Sequence, residues 1–235
     1  MSLTVLAPLR LEALALRRGL RDADSEVVRT GMGAERSRAA ADRLWLRATI
    51  RETGAVAVAG VCGGVDPGLR PGDVVVATSV RREVGSEREL PGAEALARAV
   101  RRLGLRCVPG VILSVERLAR DARRAAAGHA GVVAVDMESA WLVEPARGRP
   151  VAVLRVVADA QGRSVYRPRT IVDGSKALRT LRRAAPALEE WAGAPLDPAR
   201  PEETRTIGLT ADEPGPVTVE ERVVEILLGL PGEVT

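Results

Sequence analysis

The 235-residue chain has no phenylalanine and no asparagine, and it holds one lysine, one histidine, two cysteines, one tyrosine and three tryptophans. Two isolated cysteines, Cys62 and Cys107, exclude a disulfide framework and a cysteine zinc site and fit a reduced, cytoplasmic compartment. A single histidine, His129 in the loop-like "AAAGHAG", excludes serine–histidine catalysis and a histidine metal site. With so few aromatics, the scattered arginines do not form a nucleic-acid surface, although the sequence pI is 9.9; the formal charge is a modest +4. No apolar run approaches the length of a membrane span, and "MSLTVLAPLR" lacks the basic start and small-residue cleavage pattern of a signal peptide. The shortage of lysine says little about function, because the excess of Ala, Arg, Val and Gly looks like a coding bias.

What the chain does have is alternation. Strand-like runs such as "LTVLA", "EVVRT", "AVAVAGVC", "DVVVATSV", "GVVAVD" and "VAVLRVVA" are interleaved with Ala/Arg/Leu-rich helical stretches, the last over roughly 173–193. This predicts an α/β fold: a three-layer sandwich whose central mixed sheet is mostly parallel. Ligands of such sheets bind at the carboxyl ends of strands. Three strand ends carry glycine or acid: "TGMG" at 30–33, "GVCGGVDPG" at 60–68 and "VVADAQGRS" at 156–164. The expected organisation is a domain over 1–193, a Pro- and acid-rich linker over 194–205, and an acidic tail with a helix over 206–235.

Several residues at those strand ends are candidates for chemistry. In "VVAVDMESAWL", a carboxylate at the end of a buried strand is costly unless bonded or used. Asp136 or Glu138 could cap the next helix, or Glu138 could hold a polar ligand. Gly31 and Gly33 allow close backbone approach and point free amides at an anion, yet "GMG" also suits a plain tight turn. Gly63 and Gly64 let a flat ligand lie on the backbone, or simply end a strand. Asp159 terminates "VAVLRVVA", where desolvation would raise its pKa toward the range of a proton donor; alternatively it caps a turn or pairs with Arg155 or Arg163. Glu12, in the first turns of helix one, reaches the same end of the sheet or serves only the helix dipole.

Taken together, "VAVAGVCGGVDPGLRPGDVVVATSV", "VVAVDMESAWL" and "VAVLRVVADAQGR" resemble the nucleoside phosphorylase and nucleosidase superfamily over about residues 3–193. The likeness is greatest to its methylthioadenosine/S-adenosylhomocysteine nucleosidase branch and, within that, to hopanoid-associated phosphorylase-like proteins, which share "AVDMES" and "LRVVAD". The resemblance implies a nucleoside phosphorylase-like fold and cleavage of an adenine nucleoside, including one with an adenosylhopane-type 5′ group. It implies Asp159 as the acid at purine N7 and Glu12 as the carboxylate that orients the attacking water. Glu138 would take the ribose hydroxyls, Met137 would pack on the ribose, and Cys62, Gly63 and Gly64 would line the pocket. Leu118 and Ala119 fall where the family's backbone reads the purine. It also implies a homodimer or higher homo-oligomer, with no metal or organic cofactor.

The chain departs from the family in places. Ala158 replaces the serine that nucleosidases keep before the acid, and Val58 and Val61 stand where hexameric phosphorylases place phosphate-holding Arg and Ser. Phosphorolysis, with inorganic phosphate as co-substrate, would then rest on Arg10 in "APLR", with Gly31, Gly33 and Arg36. Glu12 favours water. A nucleoside-binding protein that has lost turnover is the alternative of a different class.

Overall fold

The computed structural model describes residues 2–46, 54–83, 85–116, 131–146, 149–159, 169–194 and 204–207. Strands β1 (Leu3–Ala7), β2 (Ser25–Arg29), β3 (Ala55–Gly64), β4 (Val74–Arg82), β5 (Gly85–Glu89), β6 (Cys107–Ser114), β7 (Val132–Asp136), β8 (Val151–Asp159) and β9 (Thr204–Ile207) form one sheet. The helices are α1 (Arg10–Arg17), α2 (Ala34–Leu46), α3 (Ala93–Arg102), α4 (Ser139–Leu142) and α5 (Arg169–Gly193).

The expected mixed α/β architecture is present, with one feature that strand patterns do not reveal. β3 pairs with β8, β8 with β4, β4 with β6, β6 with β7, and β7 returns to β3, so five strands close into a ring. β1 and β2 extend the sheet in parallel from β3, while β5 and β9 extend it antiparallel from β4. Because β3 pairs on both edges and is covered on both faces, it reads as an unbroken apolar run rather than an alternating one.

Alternate residues of the central strands face two separate cores. Leu3, Val5, Ala57, Ala59, Leu154 and Val156 pack with α1, α3 and α5, while Leu6, Val56, Val58, Val153 and Val157 pack with α2 and α4. α3 buries Ala93, Leu96, Ala97 and Val100, the spacing of one helix face. With no Phe, the cores are built from Ala, Val and Leu around the buried Trp141 and Trp191.

Three elements differ from the sequence expectation. The linker expected over 194–205 runs into β9, which pairs with β5 from Gly85↔Ile207 to Arg88↔Thr204. β5 itself, "GSERE", is too polar to show a strand period and forms through its pairing with β4. The helix after "GVVAVD" is a single turn, followed by a 3-10 turn at Glu144–Ala146. The expected tail helix and His129 lie outside the described residues. No described helix is long and apolar enough to cross a membrane.

Candidate active site

The carboxyl ends of β3 and β8 meet the end of β7. Gly63 pairs with Val135 on one side and aligns with Asp159 on the other, after a register irregularity at Cys62/Gly63. α1 begins just after β1 and brings Glu12 to the same place. The turn after β2 carries Gly31 and Gly33 at φ of 94° and 88°, left-handed values that favour glycine at both positions.

Glu12 is 1% exposed. One carboxylate oxygen accepts the N–H of Leu9 at 2.7 Å, capping α1, and the other accepts the N–H of Val61 on β3 at 2.7 Å. It is thus both a helix-terminus acid and a buried site residue. Burial raises its pKa, the charge of Arg155 and the two backbone N–H groups lower it, and Asp136 adds to the rise.

Glu138 is also buried and joins two distant motifs: its Oε1 accepts the N–H of Gly33 at 3.0 Å. The Met137 side chain, just past β7, reaches over to Gly33 of the turn after β2. Burial pushes the Glu138 carboxyl up to about 7; Arg155 and the Gly33 N–H oppose the rise, and Asp136 and Glu12 reinforce it.

Sequence reasoning missed the centre of the site. Arg155, on β8, is wholly buried, and it pairs with Asp136 at 2.7 Å and Glu138 at 3.5 Å. Burial alone would lower its pKa, but Asp136, Glu138 and Glu12 outweigh that and raise it, so the guanidinium stays charged. Its Nη1 meets no acceptor among the described residues. Nη1 and Glu12 Oε1 both lie 2.6 Å from the point where a Cβ on Gly60 would stand. The signal was available: one arginine inside an apolar strand must find carboxylates.

Asp136 fulfils the plainer expectation, capping α4 through the N–H groups of Glu138 and Ser139 at 3.3 and 3.2 Å. Cys62 is buried, and burial raises its thiol pKa, with Arg155 opposing and Asp136, Asp159 and Glu12 reinforcing; it is a neutral, apolar wall. Gly64 is buried against Val157. Arg10 and Arg36 are exposed, with the Arg36 methylenes over Gly31. Leu118 and Ala119 lie outside the described residues. Among the described residues no group of His, Cys, Asp and Glu is placed to hold a metal ion.

Gly60 carries a direct test of this geometry. A Gly60→Ala substitution puts a methyl group against both Glu12 and Arg155, which are backed by the sheet and cannot withdraw freely. The expected cost is about 1–3 kcal/mol in urea unfolding, and an unchanged midpoint would show that the two charges do not pack over this residue.

The sequence pattern of the phosphorylase superfamily matches residues 26–189. No curated protein matches the sequence. Solved structures of similar fold include the 5′-methylthioadenosine/S-adenosylhomocysteine nucleosidase of Campylobacter jejuni, with a TM-score of 0.66 and 15% identity, covering 81% of this chain and 98% of that one. The corresponding Neisseria meningitidis enzyme, in complex with methylthio-immucillin-A, gives 0.64 and 18%, covering 81% and 97%. The futalosine hydrolase of Helicobacter pylori gives 0.64 and 16%, covering 81% and 97%. With its pattern matched over most of its length and its glycine turn, Met-Glu pair and strand-end aspartate gathered at one end of the sheet, the chain belongs to the phosphorylase superfamily.

Proposed function

We propose that the protein hydrolyses the N-glycosidic bond of an adenine nucleoside, releasing adenine. The substrate is of the methylthioadenosine/S-adenosylhomocysteine type or carries a hopanoid chain at the 5′ position. The observation that carries this reading is the grouping of Glu12, Asp136 and Glu138 around one guanidinium. With three acids to one base, the cluster is net negative once its carboxylates ionise. A negative site stabilises the oxocarbenium character that the sugar develops as the base leaves.

The roles are those the superfamily resemblance implies, and the grouping of these residues at one end of the sheet supports them. Asp159, at the end of β8 beside Gly63, protonates the purine at N7 so that it departs neutral. Glu138 accepts from the ribose hydroxyls, with Met137 against the sugar and Cys62 to Gly64 lining the pocket. Glu12 and Arg155 Nη1 flank the attacking water, the carboxylate accepting its proton and the guanidinium fixing its oxygen. Adenine and the free sugar are the products.

The same charge balance argues against phosphorolysis. A phosphate dianion would have to enter beside buried carboxylates, while Arg10 and Arg36 stand exposed and β3 offers Val58 and Val61 in place of donors. The test of substrate class is chromatographic: adenine release from methylthioadenosine, adenosine and a long-chain 5′-alkyl adenosine. Preference for the long chain supports the hopanoid type and preference for methylthioadenosine the other. Tight binding without release from any of the three would favour a binding protein that has lost turnover.

Acid should impair activity before it impairs the fold. Glu138 must be ionised to accept from both ribose hydroxyls, and its carboxyl titrates near 7, so kcat/KM should fall as pH drops through about 7. The sign for stability is opposite: a raised carboxyl favours the folded state most below the ordinary carboxylate range, and that contribution is lost as pH rises through 7. A pH–rate profile beside circular dichroism checks both, and a flat profile between pH 5.5 and 8, as roughly bounded by this titration, would remove Glu138 from substrate binding.

A further inference from the structure

We propose that Ser139 is a positioning residue: by holding one edge of the Arg155 guanidinium, its hydroxyl turns the opposite nitrogen, Nη1, toward Glu12 and the reacting water. This deepens the nucleosidase reading and rests on it.

The Ser139 hydroxyl accepts from Arg155 Nε at 3.1 Å and from Nη2 at 3.0 Å, and it donates its own proton to Asp136 Oδ2. Nη2 also reaches Asp136 Oδ2 at 2.7 Å. A guanidinium is planar and rigid, so gripping Nε and Nη2 on one edge fixes the direction of Nη1 on the other. That direction is the space above Gly60, which Nη1 shares with Glu12 Oε1.

Asp136 is the anchor of the arrangement. Among the described residues its hydrogen-bond and ion-pair partners are all donors: the hydroxyls of Ser114 (2.6 Å) and Ser139, the N–H groups of Glu138 and Ser139, and Arg155. Ser114 is itself tied down, accepting the N–H of Ala140 at 2.9 Å. All of these side chains are buried, so water cannot replace a lost partner easily. Of the two serines, Ser139 is the one whose hydroxyl touches Arg155.

That difference gives the test, made on the full chain. In Ser139→Ala the guanidinium keeps Asp136 on Nη2 but loses the hydroxyl that holds Nε, so it can pivot toward Glu138, now 3.5 Å away. The charged groups facing Glu138 are Glu12 from α1, Asp136 from β7 and Arg155 from β8, with the Gly33 N–H from the turn after β2. A closer Arg155 favours the ionised Glu138, so the acidic limb of the pH–rate profile should move to lower pH. At the same time kcat should fall by about tenfold or more with KM changed much less, because the water is misplaced and the ribose contacts remain.

Ser114→Ala, which leaves the Arg155 edge held, should stay within about threefold of wild type, and Ser139→Thr should restore most of the activity. The carboxyl titration of Glu138, followed by carbon NMR, reads the same shift without turnover. If wild-type protein releases no base from any nucleoside, the functional reading fails while this titration still decides the Ser139 proposal. Wild-type kcat and an unmoved Glu138 titration in a folded Ser139→Ala protein would overturn the proposal. So would equal losses in Ser114→Ala and Ser139→Ala, since these would mean a general packing role. If Ser139→Ala does not fold, a folded Ser139→Thr with unshifted titration and wild-type kcat supports the proposal, and one with lost activity contradicts it.

Discussion

Replacing Glu12 by Gln should lower kcat by about 10²–10⁴-fold, the range for loss of a positioned general base, with a much smaller change in KM. The carboxylate sits where β1 hands over to α1, so its role is set by where the chain turns rather than by a motif. It accepts two backbone N–H groups at 2.7 Å, from Leu9 and Val61, and retains lone pairs for a third donor. Gln keeps the length and shape but can accept at one end only, so one of those N–H groups loses its partner. That costs about 1–3 kcal/mol of stability, which a melting curve separates from the catalytic loss. Undiminished turnover in folded Glu12→Gln protein would take Glu12 out of the mechanism.

The largest effect on stability is expected at Arg155. Arg155→Met fills most of the volume of the side chain but removes its charge, leaving Asp136 and Glu138 buried without their counter-ion. Breaking a buried pair from one side costs about 3–5 kcal/mol, a large share of the 5–15 kcal/mol that holds a typical domain folded. The deficit should shrink in acid. Glu138, already raised by burial and then without its opposing cation, binds a proton more readily folded than unfolded, so lowering the pH stabilises the variant relative to wild type. Urea unfolding at two pH values measures this. A variant as stable as wild type at neutral pH would mean that the cluster is not held together by this guanidinium.

These two residues also show how far the sequence could be read. The alternation of apolar runs and helices was legible because helices bury regularly spaced residues, as in α3, and central strands are continuous apolar runs, as in β3. The strand ends that carry glycine or acid were legible too, but the bond from the Gly33 N–H to the Glu138 carboxylate was not, because it joins segments 105 residues apart. Arg155 was legible as a residue but not as a role. Its position four residues before Asp159 suggested a local ion pair, whereas its partners Asp136 and Glu138 come from another strand end brought near by ring closure. Closure depends on β7 returning to β3 through two residue pairs, which no single-strand pattern announces. The polar strands β5 and β9 were hidden for the same reason, since pairing at an edge demands no apolar period. Ser114 and Ser139 looked like ordinary small polar residues until Asp136 was placed between them.

The most direct measurement is adenine release from methylthioadenosine, followed in phosphate-free buffer and again with inorganic phosphate added. A hydrolase with Glu12 and Arg155 holding water should release adenine at the same rate in both and yield the free sugar. Release that requires phosphate and yields a sugar 1-phosphate would contradict the account and transfer the reaction to the phosphate-holding role of Arg10.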